Sequence, residues 1–169
     1  MPQAISSPAA DIDRAQRLLE AGNLEDADKL INTILSDSPD NADGLYTFAV
    51  IQRLKKNHVA ALKTLDQVLQ QQPSLARAYQ ERALNELSLN NPMPAGAALE
   101  AAVELDPALL KSWQLLVPLY KASGSSKASD AETQVVFLKT LPKELLTAIS
   151  YMSAGRLLEA EKVCRGFLM

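Results

Sequence analysis

Small and apolar residues recur along this chain at a fixed interval of 34 positions. The repeating positions are the small residues Ala10, Gly44, Ala78 and Ser112, the alanines Ala15, Ala49 and Ala83, the alanines Ala27, Ala61 and Ala95, the branched residues Ile31, Leu65 and Leu99, and the prolines Pro39, Pro73 and Pro107. Five columns in register at one period indicate an array of internal repeats, each built from the same supersecondary unit.

Capping and turn residues predict two helices in each interval. Ser7 before Pro8 has the pattern of an N-cap followed by the first helical residue, and Gly22 is expected to end that helix because glycine tolerates a positive φ. Asp106-Pro107 is expected to open a helix in the same way. The segment 90–94 is expected to be a turn, because two prolines so close together should not both lie inside a helix. The predicted helices are 8–21 with 24–36, 41–55 with 58–71, 74–89 with 94–105, 107–122 with 126–140, and 143–154 with 156–168.

The composition favours helices throughout the chain. Of 169 residues, 28 are Leu and 25 are Ala, both strong helix formers, while aromatic residues make up only 5%. The predicted fold class is therefore all-α. The net charge of −3 argues against a nucleic-acid binder and against a polybasic membrane-surface protein. Residues 1–8 lack the features of a secretory signal, and no stretch approaches the ~18 apolar residues of a membrane span, so we expect a cytoplasmic location.

The period and the residue types resemble the tetratricopeptide repeat. That family uses two antiparallel helices per repeat, with small residues where helices A and B cross and a proline that ends helix B. Its W-x2-L-G-x2-Y pattern is matched by Trp113, Leu116 and Tyr120, with Val117 in place of the glycine. The resemblance covers essentially the whole chain, and it implies a right-handed superhelical array of antiparallel helix pairs.

In the family's frame, residues 1–169 form a single array of about five repeats. The repeats are approximately 8–41, 42–75, 76–109, 110–140 and 141–169. The fourth is shorter than 34 residues, and the register of its helix B is ambiguous. The fifth lacks the expected proline after helix B, so we expect it to be incomplete and the chain to continue. The stretches 113–120, 141–146 and 154–161 are also similar to the N-terminal repeat region of bacterial proteins that join such repeats to a C-terminal sulfotransferase domain.

The sequence shows no catalytic or cofactor-binding motif. The six glycines are isolated, and none belongs to a dinucleotide-binding fingerprint or a P-loop. His58, beside Lys55 and Lys56, fits a solvated turn residue. Cys164 fits a small packing residue better than a nucleophile, because the chain has no second histidine to activate it. We therefore expect no enzymatic activity, no cofactor and no metal site.

The residues with a predicted binding role lie on helix A of each repeat. Frame positions 2, 5, 9 and 12 share one stripe by helical spacing, and the resemblance implies that this stripe lines a concave groove. The predicted groove residues are Tyr46, Val50, Arg53, Arg77, Gln80, Leu84, Lys111, Gln114 and Lys121. They combine a strip of cations with side chains suited to hydrogen bonding or apolar contact. The alternatives are that the cations form an ordinary solvated face and that the apolar residues complete packing between repeats.

Three functions are compatible with these features. The leading hypothesis is a non-catalytic scaffold that binds a peptide or helix of a protein partner in the groove. The second is an accessory module that positions a protein substrate for a multidomain enzyme such as a sulfotransferase fusion. The third is a self-associating structural module that forms a homodimer through its terminal helices.

Overall fold

The computed structural model describes residues 7–168, and most of them lie in α-helices. Over this range the structure contains ten helices and no strand, so the predicted all-α fold class is confirmed. The helices are α1 Pro8–Glu20, α2 Leu24–Asp37, α3 Ala42–Leu54, α4 His58–Gln71, α5 Ala76–Ser88, α6 Pro92–Leu105, α7 Leu110–Ala122, α8 Lys127–Thr140, α9 Lys143–Ser153 and α10 Leu157–Phe167. None of these helices is long and apolar enough to cross a membrane.

Consecutive helices pair, and each pair is joined by a turn with one residue in the left-handed region. These residues are Gly22, Lys56, Asn90, Gly124 and Gly155, with φ between 61° and 80°. The first four are 34 positions apart, so the turn repeats with the same period as the core. Gly22 therefore ends α1 as predicted, and Ser7 caps the start of α1 by accepting a hydrogen bond from the backbone N–H of Ala10 at 3.3 Å.

The repeating small residues lie where helices cross. Ala15 and Ala27 are fully buried in the first pair, and the same positions are fully buried in the second and third pairs. Gly44 is buried as well, and an added Cβ there would lie 3.2 Å from the side chain of Leu35. Small residues are therefore needed at these positions because the helix backbones approach closely.

The helices group into two compact units, the first ending at Pro73 and the second beginning at Ser74. The first unit contains α1 to α4, with a core of Ile12, Ala15, Ala27, Ile31, Ile34 and Ile51. The second contains α5 to α10, and its main core cluster is Ala83, Ala95, Ala98, Leu99, Val103 and Leu116. Each unit thus buries its own apolar cluster.

Two predictions about helix starts are wrong. Pro92 and Pro94 both lie in the first turn of α6, where backbone N–H groups have no partner within the helix, so two prolines cost little there. Asp106-Pro107 does not open α7, which begins at Leu110. Instead, the Asp106 carboxylate accepts a hydrogen bond from the backbone N–H of Ala108 at 3.0 Å and stabilises the turn before α7.

The fourth pair departs from the repeat at both ends of α8. In the other pairs the two small buried residues are 12 positions apart, as are Ala83 and Ala95, whereas in the fourth pair the half-buried Val117 takes the first position and lies 14 residues before Ala131. From Ala131 to the next small residue, Ala148, the chain advances 17 positions instead of 22. The turn into α8 is one residue longer than the other turns, Ala131 lies one residue further into its helix, and the path from Ala131 to Ala148 is five residues shorter. This explains why the register of helix B was ambiguous in the sequence.

Pro118 lies inside α7, which continues through it from Leu110 to Ala122. The proline therefore does not interrupt the helix. Proline has no N–H to donate to the carbonyl of Gln114. Both Gln114 and Pro118 are exposed, so water can reach this carbonyl.

The last helix pair buries little apolar surface. Ala160 is the one residue of α10 that is buried, whereas Leu157, Leu158 and Leu168 are 66%, 72% and 83% exposed. By contrast, α6 buries five residues. Few buried contacts allow local opening at low free-energy cost.

Burial predicts very different costs for the same substitution at two leucines of the second unit. Leu116 is fully buried, so Leu116→Ala should lower the free energy of unfolding by about 2–5 kcal/mol. Leu157→Ala is the matched control, and its effect should stay within about 0.5 kcal/mol because the side chain already lies in water. Urea unfolding followed by circular dichroism measures both. Equal losses in the two variants would contradict the packing described for α7.

Hydrogen exchange should distinguish α10 from α6. We expect the amides of 157–167 to exchange much faster than those of 92–105, because α10 is held by fewer buried contacts. Exchange of the intact chain is followed at two protein concentrations. Strong protection of α10 that does not depend on concentration would show that the last pair is held more firmly than its burial indicates.

Candidate functional site

In the first unit, the predicted groove residues occupy one face of α3. Tyr46, Val50 and Arg53 are all half-buried there. The neighbouring α1 is joined to this helix by the side-chain amide of Gln16, which donates to the hydroxyl of Thr47 at 3.5 Å. The stripe of α3 is thus partly covered by its own unit.

In the second unit, the stripe runs along α5 and α7. Gln80 and Leu84 are half-buried, whereas Arg77, Lys111 and Gln114 are exposed. The hydroxyl of the buried Ser112 donates to the side-chain oxygen of Gln80 at 2.9 Å and joins the two helices. A direct hydrogen bond therefore joins one predicted residue, Gln80, to α7 through Ser112, which was not among the predicted groove residues.

The predicted cations differ in what surrounds them. Lys121 forms an ion pair with Glu132 of α8, so its charge is already compensated. Arg77 and Lys111 make no ion pair or side-chain hydrogen bond with any residue in the range 7–168. These two cations stand at the same frame position of neighbouring A helices and remain available to a ligand.

A cavity of about 250 Å³ lies in the second unit at the start of α5. Ser74 to Arg77, the end of α6 and one face of α9 form its walls. The residues of α9 on this face are Thr147, Ser150, Tyr151 and Ser153, and Ala154 follows at the end of the helix. We call this cavity the α5–α9 pocket. Apart from Arg77, sequence reasoning assigned a binding role to none of its residues. The shortened path from α8 to α9 was the signal that α9 would not occupy a regular position.

A second cavity, of about 420 Å³, lies between α6, α7 and α8. Glu100 is its electrostatic centre, because one of its carboxylate oxygens accepts hydrogen bonds from the Tyr120 hydroxyl and from Lys127, both at 2.8 Å. These two hydrogen bonds hold the pKa of Glu100 below its usual value, and the bond from Lys127 has the larger effect. Burial, and then the hydrogen bond to Glu100, raise the pKa of Tyr120 to about 12.

Comparisons with known proteins show which repeat family part of the chain resembles. Residues 18–84 match the family model described as tetratricopeptide repeat. Residues 18–84 are therefore similar to tetratricopeptide repeats. A search of the curated proteins finds no significant match.

Solved structures of tetratricopeptide-repeat proteins have the same fold. TTC0263, a thermophilic repeat protein of Thermus thermophilus, is 20% identical with a TM-score of 0.68, over 93% of this chain and 88% of that one. MamA 41-end from Desulfovibrio magneticus RS-1 is 24% identical with a TM-score of 0.67, over 79% and 76% of the two chains. Another MamA crystal structure is 18% identical with a TM-score of 0.65, over 94% and 88%. These likenesses show the shared fold.

The described residues bring together no recognisable metal site. Across residues 7–168, no group of three or more His, Cys, Asp or Glu side chains is arranged to hold a metal ion. His58 is the first residue of α4, and Cys164 is a half-buried free thiol of α10.

The raised pKa of Tyr120 predicts a loss of stability at high pH. An unfolded tyrosine loses its proton near pH 10, whereas folded Tyr120 keeps it until about pH 12. In this window the unfolded state binds fewer protons than the folded state, so stability falls as pH rises. In Tyr120→Phe this contribution is absent, and the gap in Tm between wild type and variant should narrow from about pH 9.5 to about pH 11.5.

Glu100→Gln tests the cause of this pH dependence. It replaces the charged acceptor of the Tyr120 hydroxyl by a neutral one, so stability should fall less steeply with pH than in wild type. Thermal melting followed by circular dichroism measures all three proteins. A Tm gap between wild type and Tyr120→Phe that stays constant across the range would show that Tyr120 titrates equally in the folded and unfolded chains.

Proposed function

We propose that this chain is a non-catalytic interaction scaffold whose A-helix stripe binds an acidic peptide or helix of a protein partner. The observation that carries the proposal is the pair of uncompensated cations Arg77 and Lys111 on neighbouring A helices. Some exposed cations of the chain pair with its own acids, as in Lys55–Asp28 at 2.5 Å and Lys127–Glu100 at 2.8 Å, whereas Arg77 and Lys111 do not. Two cations without such partners on one stripe favour an acidic ligand.

The surroundings of these cations support a pre-formed surface. The hydrogen bond between Ser112 and Gln80 fixes α5 against α7, so a ligand does not have to order the two helices on binding. Gln114 is exposed on the same stripe and offers both donor and acceptor groups to a peptide backbone. Leu84 is half-buried and leaves part of an apolar side chain for contact.

The other two functions remain predictions. An accessory role in a sulfotransferase fusion depends on what the gene encodes beyond Met169, and reading that sequence tests it. Self-association through the terminal helices is tested by light scattering during size-exclusion chromatography. A repeat scaffold that binds an acidic segment is compatible with either setting.

Reversing the two free cations tests the proposal. Acidic peptides are first selected from a displayed random library against the intact chain, and their affinity is measured by fluorescence polarisation. The double variant Arg77→Glu with Lys111→Glu should bind these peptides at least about tenfold more weakly, because attraction becomes repulsion. The wild-type affinity should also fall with added salt, since exposed charges are screened over about 8–10 Å at physiological ionic strength.

The matched control carries the same change in net charge away from the stripe. Lys63 of α4 and Lys139 of α8 are lysines on B helices, outside the stripe, and Lys63→Glu with Lys139→Glu should leave the affinity within about twofold. Circular dichroism confirms that both variants remain folded. Equal weakening in the two double variants would mean that net charge, not the stripe, attracts the peptide, and the proposal would fail.

A further inference from the structure

Basic and hydroxyl side chains contribute to the lining of the α5–α9 pocket. Arg77 and Arg156 contribute two guanidinium groups to its lining, and Asp106 contributes one carboxylate. Ser74, Ser150 and Tyr151 add hydroxyl groups that can donate hydrogen bonds. A cavity of about 250 Å³ is large enough for a compact charged group, and the two guanidinium groups can donate hydrogen bonds to an anion.

The two arginines have different roles in this pocket. Arg156 is held in place, because its guanidinium lies 4.6 Å from the ring centre of Tyr151 and donates to Glu159 through Nε at 3.2 Å and Nη2 at 3.1 Å. Its Nη1 has no partner within residues 7–168. Arg77 has neither an ion pair nor a side-chain hydrogen bond over the same range. The guanidinium group of Arg156 is thus held in one orientation, whereas the side chain of Arg77 is free to move and contact a ligand.

The carboxylate in the wall of the pocket, that of Asp106, accepts a hydrogen bond from the turn to which it belongs. Asp106 is buried, and its Oδ1 accepts the backbone N–H of Ala108 at 3.0 Å. It therefore stabilises the turn between α6 and α7, and neither arginine forms an ion pair with it. Arg156 is paired with Glu159, so Arg77 is the uncompensated cation of the lining, while Arg156 keeps Nη1 as a donor for a ligand.

We infer that the α5–α9 pocket binds a compact oxyanion group, a carboxylate or a phosphate, between Arg77 and Arg156. Guanidinium groups suit both, because their planar donors match the oxygen pairs of these anions. The pocket overlaps the A-helix stripe at one residue, Arg77. Arg156 and the residues of α9 belong to the pocket alone. The pocket exists because the shortened path after Ala131 brings one face of α9 to the start of α5.

The inference is tested by titrating the intact 15N-labelled chain with inorganic phosphate and, separately, with succinate at constant ionic strength. We expect saturable shifts of amides in 74–77, 105–106 and 147–156 with at least one of the two anions. In the double variant Arg77→Gln with Arg156→Gln, the dissociation constant should rise at least about tenfold, since each charged hydrogen bond contributes about 1.5–3 kcal/mol.

Two control variants keep this test separate from that of the stripe. Arg165 belongs to α10 but binds Glu161 outside the pocket, and Lys111 belongs to the stripe. Arg165→Gln and Lys111→Gln should leave the anion affinity within about twofold. Conversely, Arg156→Gln should weaken anion binding and leave selected acidic peptides bound to the stripe. Each single Arg→Gln variant is measured as well, so a double variant that fails to fold does not end the test.

The response to the two anions shows which class of ligand the pocket binds. Saturation by phosphate alone indicates a phosphate-bearing ligand, and saturation by succinate indicates a carboxylate ligand. The inference is overturned if neither anion gives saturable shifts in these segments. It is also overturned if the folded Arg→Gln variants bind as tightly as wild type, or if Arg165→Gln weakens binding equally.

Discussion

The close crossing of the two helices in each pair is the constraint on which the rest of this structure depends. At the crossings of the first three pairs, alanines 12 positions apart are completely buried, as are Ala49 and Ala61. A methyl group is the largest side chain that such an approach admits, because interiors are packed without spare volume. The left-handed turn residue and the next helix crossing recur along the chain at the same interval as these alanines.

Where that spacing changes, the structure changes with it. Two extra residues between Gly124 and Ala131 move the register of α8, and Val135, which stands at the position of Leu99, is half-buried rather than fully buried. Val136 and Phe137 of the same helix remain more than half exposed. The repeat therefore loses core density in its fourth pair, and α9 faces the start of α5 with a polar surface.

The sequence predicted the features that are local or periodic. Alanine columns, glycine turns and the Ser7 cap each act within a few residues or at one fixed interval, so ten helices could be placed to within a few positions. The errors at Pro92, Pro94 and Asp106 arose at helix N-termini. There, a proline or an aspartate is compatible with a helix start or a turn, and tertiary packing decides between them.

The candidate sites also contain parts that could be predicted from the sequence and parts that could not. Helical spacing alone assigns Arg77 and Lys111 to one stripe, whereas the pairing of Lys121 with Glu132 depends on the irregular turn into α8. The pocket required the position of α9 relative to α5, two helices separated by more than 50 residues in the sequence.

Arg77 connects the regular and the irregular parts of the second unit. Its place on the stripe follows from the repeat, which puts a cation at the same position in Lys111. Its place in the pocket follows from the broken repeat, which brings Arg156 and Tyr151 to the same cavity. A guanidinium group has five donors in a planar fork, but a single side chain can adopt one position at a time. An acidic ligand on the stripe and an oxyanion in the pocket would therefore compete for Arg77, which couples the two sites without any movement of the helices.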